Sequence, residues 1–99
     1  MSKSPKYKCK PVFELGHVTW TPGVQAAFDV TGDKPFTYLQ RHHAGDWGEL
    51  TKDGKFLNDR AVLEGTRIVS AYELRNGTKI WIITEADRSL TTFLLPSEY

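Results

Sequence analysis

Residues 66–96 constrain this chain more than any other stretch. They read Thr-Arg-Ile-Val-Ser-Ala-Tyr-Glu-Leu-Arg, Asn-Gly, Thr-Lys-Ile-Trp-Ile-Ile-Thr-Glu-Ala, Asp-Arg, Ser-Leu-Thr-Thr-Phe-Leu-Leu-Pro. Runs rich in β-branched and aromatic residues, separated by two short polar turns, predict three consecutive antiparallel strands. Asn76-Gly77 is the strongest short hairpin signal, because both residues tolerate the positive φ of a type I′ turn. A two-residue loop there sets Arg75 opposite Thr78, Glu73 opposite Ile80 and Tyr72 opposite Trp81. The second turn, centred on Asp87-Arg88, sets Thr84 opposite Thr91, Ile82 opposite Phe93 and Trp81 opposite Leu94. Side chains alternate across a strand. One face is therefore expected to collect Val69, Ala71, Ile80, Ile82, Thr84, Thr91, Phe93 and Leu95 as the core. The other is expected to present Ile68, Ser70, Tyr72, Trp81, Ile83, Thr92 and Leu94, an apolar surface with hydroxyls and an aromatic pair that something must cover or bind.

The residues before the meander read as short elements that pack on it. Val12-Phe13-Glu14-Leu15, stopped by Gly16, is a candidate first strand, with His17-Val18-Thr19-Trp20 as its continuation. Thr21-Pro22 starts a helix, with Thr at the N-cap and Pro where a missing N–H costs nothing. Val24, Ala27 and Phe28 share one face of that helix, and Gly32 ends it. A second helix follows, with Asp33 as cap, Pro35 in the first turn and Phe36, Leu39 and His43 at helical spacing. Its end, Arg41-His42-His43, places cationic groups at the negative pole of the helix dipole. Residues 45–50 form a glycine-bracketed loop around Trp47, and Lys52-Asp53-Gly54-Lys55 a turn. Residues 56–64 form a third helix, with Leu57, Ala61 and Val62 or Leu63 inward. The expected fold class is α+β: a short N-terminal strand and two to three short helices packed on a C-terminal three-stranded antiparallel meander.

At 99 residues the chain suits one domain, residues 11–99, preceded by a basic flexible tail over residues 1–10. Its 39% hydrophobic content is too high for intrinsic disorder. No apolar run approaches the roughly 20 residues that span a bilayer, so no membrane is expected. The N-terminus has no apolar h-region, and the single cysteine, Cys9, fits a reducing, cytoplasmic setting. Net charge is +1, yet the tail holds four lysines and no acid. That leaves nine basic and twelve acidic residues in the body, a charge of −3. A body of that sign lacks the basic field of a nucleic-acid-binding domain. Nucleic acid could be touched through the tail but is not favoured.

Three clusters carry candidate chemistry. In Arg41-His42-His43-x-x-Asp46 the histidines could serve as bases or ligands. Adjacent residues on a helix point about 100° apart, so the pair cannot hold one ion without distortion. No metal and no cofactor are expected. In Gly45-Asp46-Trp47-Gly48 the ring either plugs the core, with Asp46 capping a turn, or forms an aromatic binding hot spot. The third cluster is Thr84-Glu85-Ala86-Asp87-Arg88-Ser89 with Thr91-Thr92. It resembles the polar end of small metal-independent ribonucleases of the barnase-like class, which also place helices before an antiparallel sheet. On that resemblance His42, His43, Arg67 and Arg88 would be the catalytic candidates, with Glu73 or Glu85 as carboxylates. The resemblance is architectural; Glu73 and Glu85 fall on opposite faces of the expected sheet.

A longer string resemblance covers nearly the whole body. Its residues are Arg41-His42-His43-x-Gly45-Asp46-Trp47-Gly48, Asn58, Arg67-x-x-Ser70-Ala71-Tyr72, residues 81–92 and Leu94-Leu95-Pro96-x-Glu98-Tyr99. In these the chain resembles a family of small bacterial accessory proteins of plasmids, phages and integrative elements. The resemblance implies a setting, conflict between mobile elements and host defence, and transfers no catalytic roles. Two readings follow. One is a non-enzymatic protein-binding protein, such as an inhibitor of a CRISPR or restriction complex, with Asp46, Trp47, Ser70, Tyr72, Trp81, Arg88 and Thr92 as contacts. A homodimer through the exposed sheet face is the other arrangement this surface allows. The second reading is a ribonuclease-like or toxin-like enzyme.

Overall fold

The computed structural model describes residues 11–99, so the basic segment and Cys9 lie outside the described residues. The order is β1 (His17–Trp20), α1 (Pro22–Thr31), α2 (Pro35–His43), α3 (Lys52–Glu64), β2 (Ile68–Glu73), β3 (Lys79–Thr84), β4 (Leu90–Leu94) and a 3₁₀ turn, Pro96–Glu98. The protein is α+β, and the sheet has four strands in the order β1-β4-β3-β2. β2, β3 and β4 form the antiparallel meander, whereas β1 joins β4 in parallel, with Val18 beside Thr91 and Trp20 beside Phe93. The first strand is the second half of the expected run. Residues 12–15 instead follow the end of α2, where the Val12 N–H donates to the His43 carbonyl at 3.0 Å.

The β3–β4 register is the expected one: Thr84 opposite Thr91, Ile82 opposite Phe93, Trp81 opposite Leu94. The β2–β3 register is displaced by one residue on one strand, with Tyr72 opposite Ile80 and Ala71 opposite Trp81. The cause is the loop. Gly77 N–H donates to the Leu74 carbonyl (2.8 Å), Leu74 N–H donates to the Thr78 carbonyl (2.8 Å), and Gly77 sits at φ 90°. This is a three-residue loop, a tight turn closed by a left-handed glycine, and not a two-residue type I′ turn. A one-residue slip exchanges the faces of a strand. Ile68, Ser70, Tyr72 and Leu74 therefore turn inward, while Val69 and Ala71 turn away. The observed choice buries the larger side chains: Ile68, Tyr72 and Leu74 are all at most 2% exposed. Tyr72 and Leu74 share the core with Val24, Phe28, Tyr38, Ile80, Ile82 and Phe93, and Ile68 packs with Trp47 and Ala61.

α1 begins and ends as expected, with Thr21 Oγ1 accepting from the Val24 N–H and Gly32 as the left-handed cap. α2 buries Tyr38 and His42, four residues apart on one face, and leaves Phe36 exposed. Asp33 does not cap it; its carboxylate accepts from Tyr38 Oη (3.2 Å) and the Arg75 N–H (3.0 Å), tying the α1–α2 connection to the hairpin tip. The second of these bonds is the main reason its carboxyl lies below its ordinary pKa. α3 starts at Lys52, capped by Thr51, and so absorbs the expected turn. It packs beside β2 on a narrow stripe, burying Asn58 and Ala61 and leaving Leu57 and Leu63 exposed.

The outer edge of β2 is filled. Asn58 Nδ2 donates to the Val69 carbonyl at 2.7 Å, and its Oδ1 accepts from the Val69 N–H at 3.2 Å. Two residues along, the Ala71 N–H donates to the Trp47 carbonyl (3.2 Å) and the Glu49 N–H to the Ala71 carbonyl (2.7 Å). A side-chain amide and a loop thus replace the missing neighbour strand, which closes this edge to strand addition.

Candidate functional site

The expected contacts separate into buried and surface groups once the register is known. His42 is fully buried beneath the sheet. Its Nδ1 lies 2.5 Å from Ser70 Oγ and its Nε2 2.9 Å from Thr84 Oγ1. Thr84 Oγ1 is 2.7 Å from Thr91 Oγ1, which donates to the Leu15 carbonyl at 2.7 Å. That carbonyl can only accept, and this fixes the donors back to His42 Nε2, while a neutral ring leaves Nδ1 to accept from Ser70. Thr91 spends its hydroxyl proton on Leu15, so Thr84 donates to Thr91. His42 Nε2–H then donates to Thr84, and Ser70 donates to Nδ1. The imidazole is the neutral Nε2–H tautomer. Burial, with a smaller effect from neighbouring His43, lowers its pKa from 6.5 to about 3. Phe13 and Trp47 meet the ring edge-to-face, at 5.2 and 5.9 Å between centroids. A ring with both nitrogens bonded and no exposed surface holds the core together and does not meet a ligand. His43 lies nearer the surface and donates Nε2–H to the Phe13 carbonyl at 2.9 Å.

Trp47 is 3% exposed, packed with Ala61 and Ile68, and donates Nε1–H to Asp59 at 2.9 Å. Its surroundings are those of a core plug. The chain can pass there because Gly48, at φ 78°, leaves room for the Ala71 carbonyl, which a Cβ would approach to 2.0 Å. Asp46 caps the loop: its carboxylate pairs with Arg41 at 2.8 Å and accepts from the Gly48 N–H at 3.3 Å. The Arg41 guanidinium chiefly accounts for the lowered pKa of Asp46. Tyr72 points into the same corner, 1% exposed, with its hydroxyl donating to the Asp46 carbonyl at 2.6 Å and Arg41 over its ring at 4.7 Å. Ser70 and Tyr72 therefore do not share a face with Trp81 and Thr92, contrary to the expected two-residue register.

Arg88 occupies a left-handed position (φ 61°) in the β3–β4 turn and reaches back to α3. Its guanidinium donates to the carbonyls of Ala61 (2.9 Å), Thr66 (2.6 Å) and Glu85 (3.1 Å) and lies 5.7 Å from the Phe13 ring centroid. A cation on the last carbonyls of a helix is favourably placed against its dipole. Arg67 pairs with the Glu85 carboxylate (3.2 Å) and donates to Tyr99 Oη (2.6 Å). Both arginines thus touch Glu85, Arg88 at its carbonyl and Arg67 at its carboxylate.

What remains at the surface is the sheet face turned away from the helices. Cross-strand pairing sets Val69, Ile83, Thr92 and Thr19 in one row and Ala71, Trp81 and Leu94 in the next. Thr19 and Thr92 share a hydroxyl hydrogen bond of 3.2 Å. Trp81 and Thr92 are partly exposed, Ile83 and Leu94 between them are buried, and the 3₁₀ turn touches β3. Tyr99 stands edge-to-face on Trp81 with centroids 5.5 Å apart and is 69% exposed. Arg67 and Glu85 mark the rim. Tyr99 and Thr19 were not singled out from sequence as contacts. The signal for Tyr99 was its aromatic character near the end of an apolar strand, but its contact with Trp81 needs the Pro96 turn.

Among the described residues no three His, Cys, Asp or Glu side chains gather as a metal-ligand group, and no helix is long and apolar enough to cross a membrane. A shallow cleft of about 200 Å³ lies elsewhere, between Leu15, Phe36, Leu39, Gln40 and His43. The chain matches no protein-family model, no curated protein and no solved structure.

Proposed function

We propose that this protein acts by binding a protein partner through the sheet face opposite its helices, with Trp81 as the anchor. The observation that carries the reading is that face: a partly exposed Trp81 with Tyr99 against it, apolar and threonine neighbours, and a charged rim. A large aromatic surrounded by neutral side chains and a polar rim is the usual composition of an interface hot spot. The string resemblance supplies the setting, so the proposed partner is a component of a bacterial host-defence complex of the CRISPR or restriction type, met in the cytoplasm. Of the histidines the ribonuclease-like alternative offered, His42 is buried with both nitrogens bonded, and His43 is tied to the Phe13 carbonyl.

A photo-crosslinking residue at Thr92 tests this in the native host. It should capture one defined partner, which the same label at Arg60 on α3 should not capture. Against that purified partner, Trp81→Ala should weaken binding by roughly 30-fold or more, a hot-spot effect of about 2 kcal/mol. A labelled protein that captures nothing, or that captures a second copy of itself, would overturn the partner reading; the second result would establish the homodimer.

A further inference from the structure

The segment after β4 does more than end the sheet. Leu95 leads into the 3₁₀ turn Pro96–Glu98, and that turn folds back across the Trp81 end of the open face. Leu95 itself stays packed against the core, and beyond it two side chains hold the turn. Glu98 reaches the start of α1, where its carboxylate accepts from the Gly23 N–H (3.0 Å) and the Thr21 hydroxyl, and also from the Leu95 N–H (2.9 Å). Thr21 serves both ends of this contact, donating to Glu98 and accepting from the Val24 N–H. Tyr99 sits between the Trp81 ring and the Arg67 guanidinium, its hydroxyl accepting from Arg67 at 2.6 Å.

The fit at α1 depends on one residue. A Cβ at position 23 would come within 2.4 Å of the Glu98 carboxylate, so any larger residue there must push the carboxylate off its present seat. Every one of these holding contacts is at the surface. Glu98 and Tyr99 are both exposed, whereas Ile83 and Leu94 in the sheet below are nearly buried. Segments held by exposed hydrogen bonds and few apolar contacts occupy the low end of a protein's local stability, and they open without global unfolding.

We propose that residues 96–99, beyond the core-packed Leu95, form an intramolecular strap, latched by Glu98 on the first turn of α1, that must lift before a partner can reach Trp81. The proposal rests on reading the Trp81 face as the binding surface. It makes that surface self-limited: apparent affinity is the intrinsic affinity reduced by the fraction of molecules with the strap open. Variants that break the latch should then bind more tightly, although they have lost native contacts.

The test uses the full-length protein and needs no partner. Glu98→Gln removes the charge that seats on α1, and Gly23→Ala displaces the carboxylate from its seat without altering the strap. Alanine is at least as good a helix former as glycine, so α1 itself should not suffer. Two-dimensional NMR reads the Tyr99–Trp81 ring contacts, and 8-anilinonaphthalene-1-sulfonate reads newly exposed apolar surface. Both variants should lose the ring contacts and raise dye fluorescence roughly fivefold, with hydrogen exchange across β2, β3 and β4 unchanged. Ring contacts that persist in both variants would overturn the latch. Loss of the contacts without dye binding would show that the strap covers nothing. Loosening of the whole sheet would show that the segment is a structural part of it. These outcomes are independent of the Thr92 crosslink: a working strap with no crosslinked partner would refute the binding reading alone, and a crosslinked partner with no latch would refute the strap alone.

Discussion

Acid should weaken this protein through His42 before it touches the carboxylates. In the folded state the ring takes up a proton only near pH 3, while the unfolded histidine does so near pH 6.5. Between those values the unfolded chain binds more protons, so stability is full above about pH 6.5 and falls as pH drops toward 3. The limiting slope is about 1.4 kcal/mol per pH unit. From pH 6.5 to 4.5 this one group should remove about 2 kcal/mol, a large part of a typical 5–15 kcal/mol total. Protonation also reverses the Ser70 bond: Nδ1–H would donate, and the Ser70 hydroxyl would have to turn its own proton to another acceptor in the core. Urea unfolding followed by far-UV circular dichroism at the two pH values measures the loss. His42→Gln cannot be charged. It should be less stable at pH 7 by about 2–4 kcal/mol, through misplaced polar groups and lost packing, yet its stability should fall by about 2 kcal/mol less between pH 6.5 and 4.5. Nitrogen-15 NMR of the ring adds a direct reading, with the proton on Nε2 throughout this range. Equal acid losses in the two proteins, a His42 titration near pH 6.5, or a proton on Nδ1 would refute the buried-chain account.

Three other positions offer sharp contrasts. Asn58→Ala removes both hydrogen bonds to Val69 and should cost about 2 kcal/mol. Hydrogen exchange should speed up at Val69 far more than at inward-facing Ser70, and equal rates would deny the edge role. Gly48→Ala places a Cβ against the Ala71 carbonyl at a left-handed position and should cost about 3 kcal/mol or more. Gly32→Ala has the same backbone sign but open space around it, and should cost only about 1 kcal/mol in thermal unfolding. Similar melting temperatures for the two would show that the close approach does not matter. Arg88→Ala removes three hydrogen bonds to backbone carbonyls between α3 and the β3–β4 turn, two of which keep a backbone N–H, and should cost about 2 kcal/mol. Arg88→Lys should recover less than half of that, because an ammonium cannot reproduce the planar fork; full recovery would point to charge alone.

Where the sequence could be read, the information was local. Thr21 and Gly32 bound α1 by their own capping chemistry, and the Asp87-Arg88 turn set the β3–β4 register because its neighbours alternate cleanly. The placement of Trp81 and Thr92 on the outward face followed from that register. The polar positions Thr84 and Thr91 on the expected core face were themselves a signal that a buried partner was needed. The partner is His42, four residues after Tyr38 on the inward side of α2.

By itself the sequence determined the order of elements, the meander and an outward-facing Trp81, since caps, turns and two-residue alternation act over a few bonds. Tertiary structure decided the rest. Asn-Gly is compatible with a two-residue or a three-residue loop, and the choice is made by which face of β2 buries more apolar surface against α1 and α2. Ile68, Tyr72 and Leu74 outweigh Val69 and Ala71, so Ser70 goes inward to His42 and the expected binding surface is divided. The parallel docking of β1 on β4, Asn58 at the edge of β2 and Glu98 on α1 join residues 11 to 75 positions apart. No local pattern encodes such contacts, because they exist only once the packed core has fixed where each element lies.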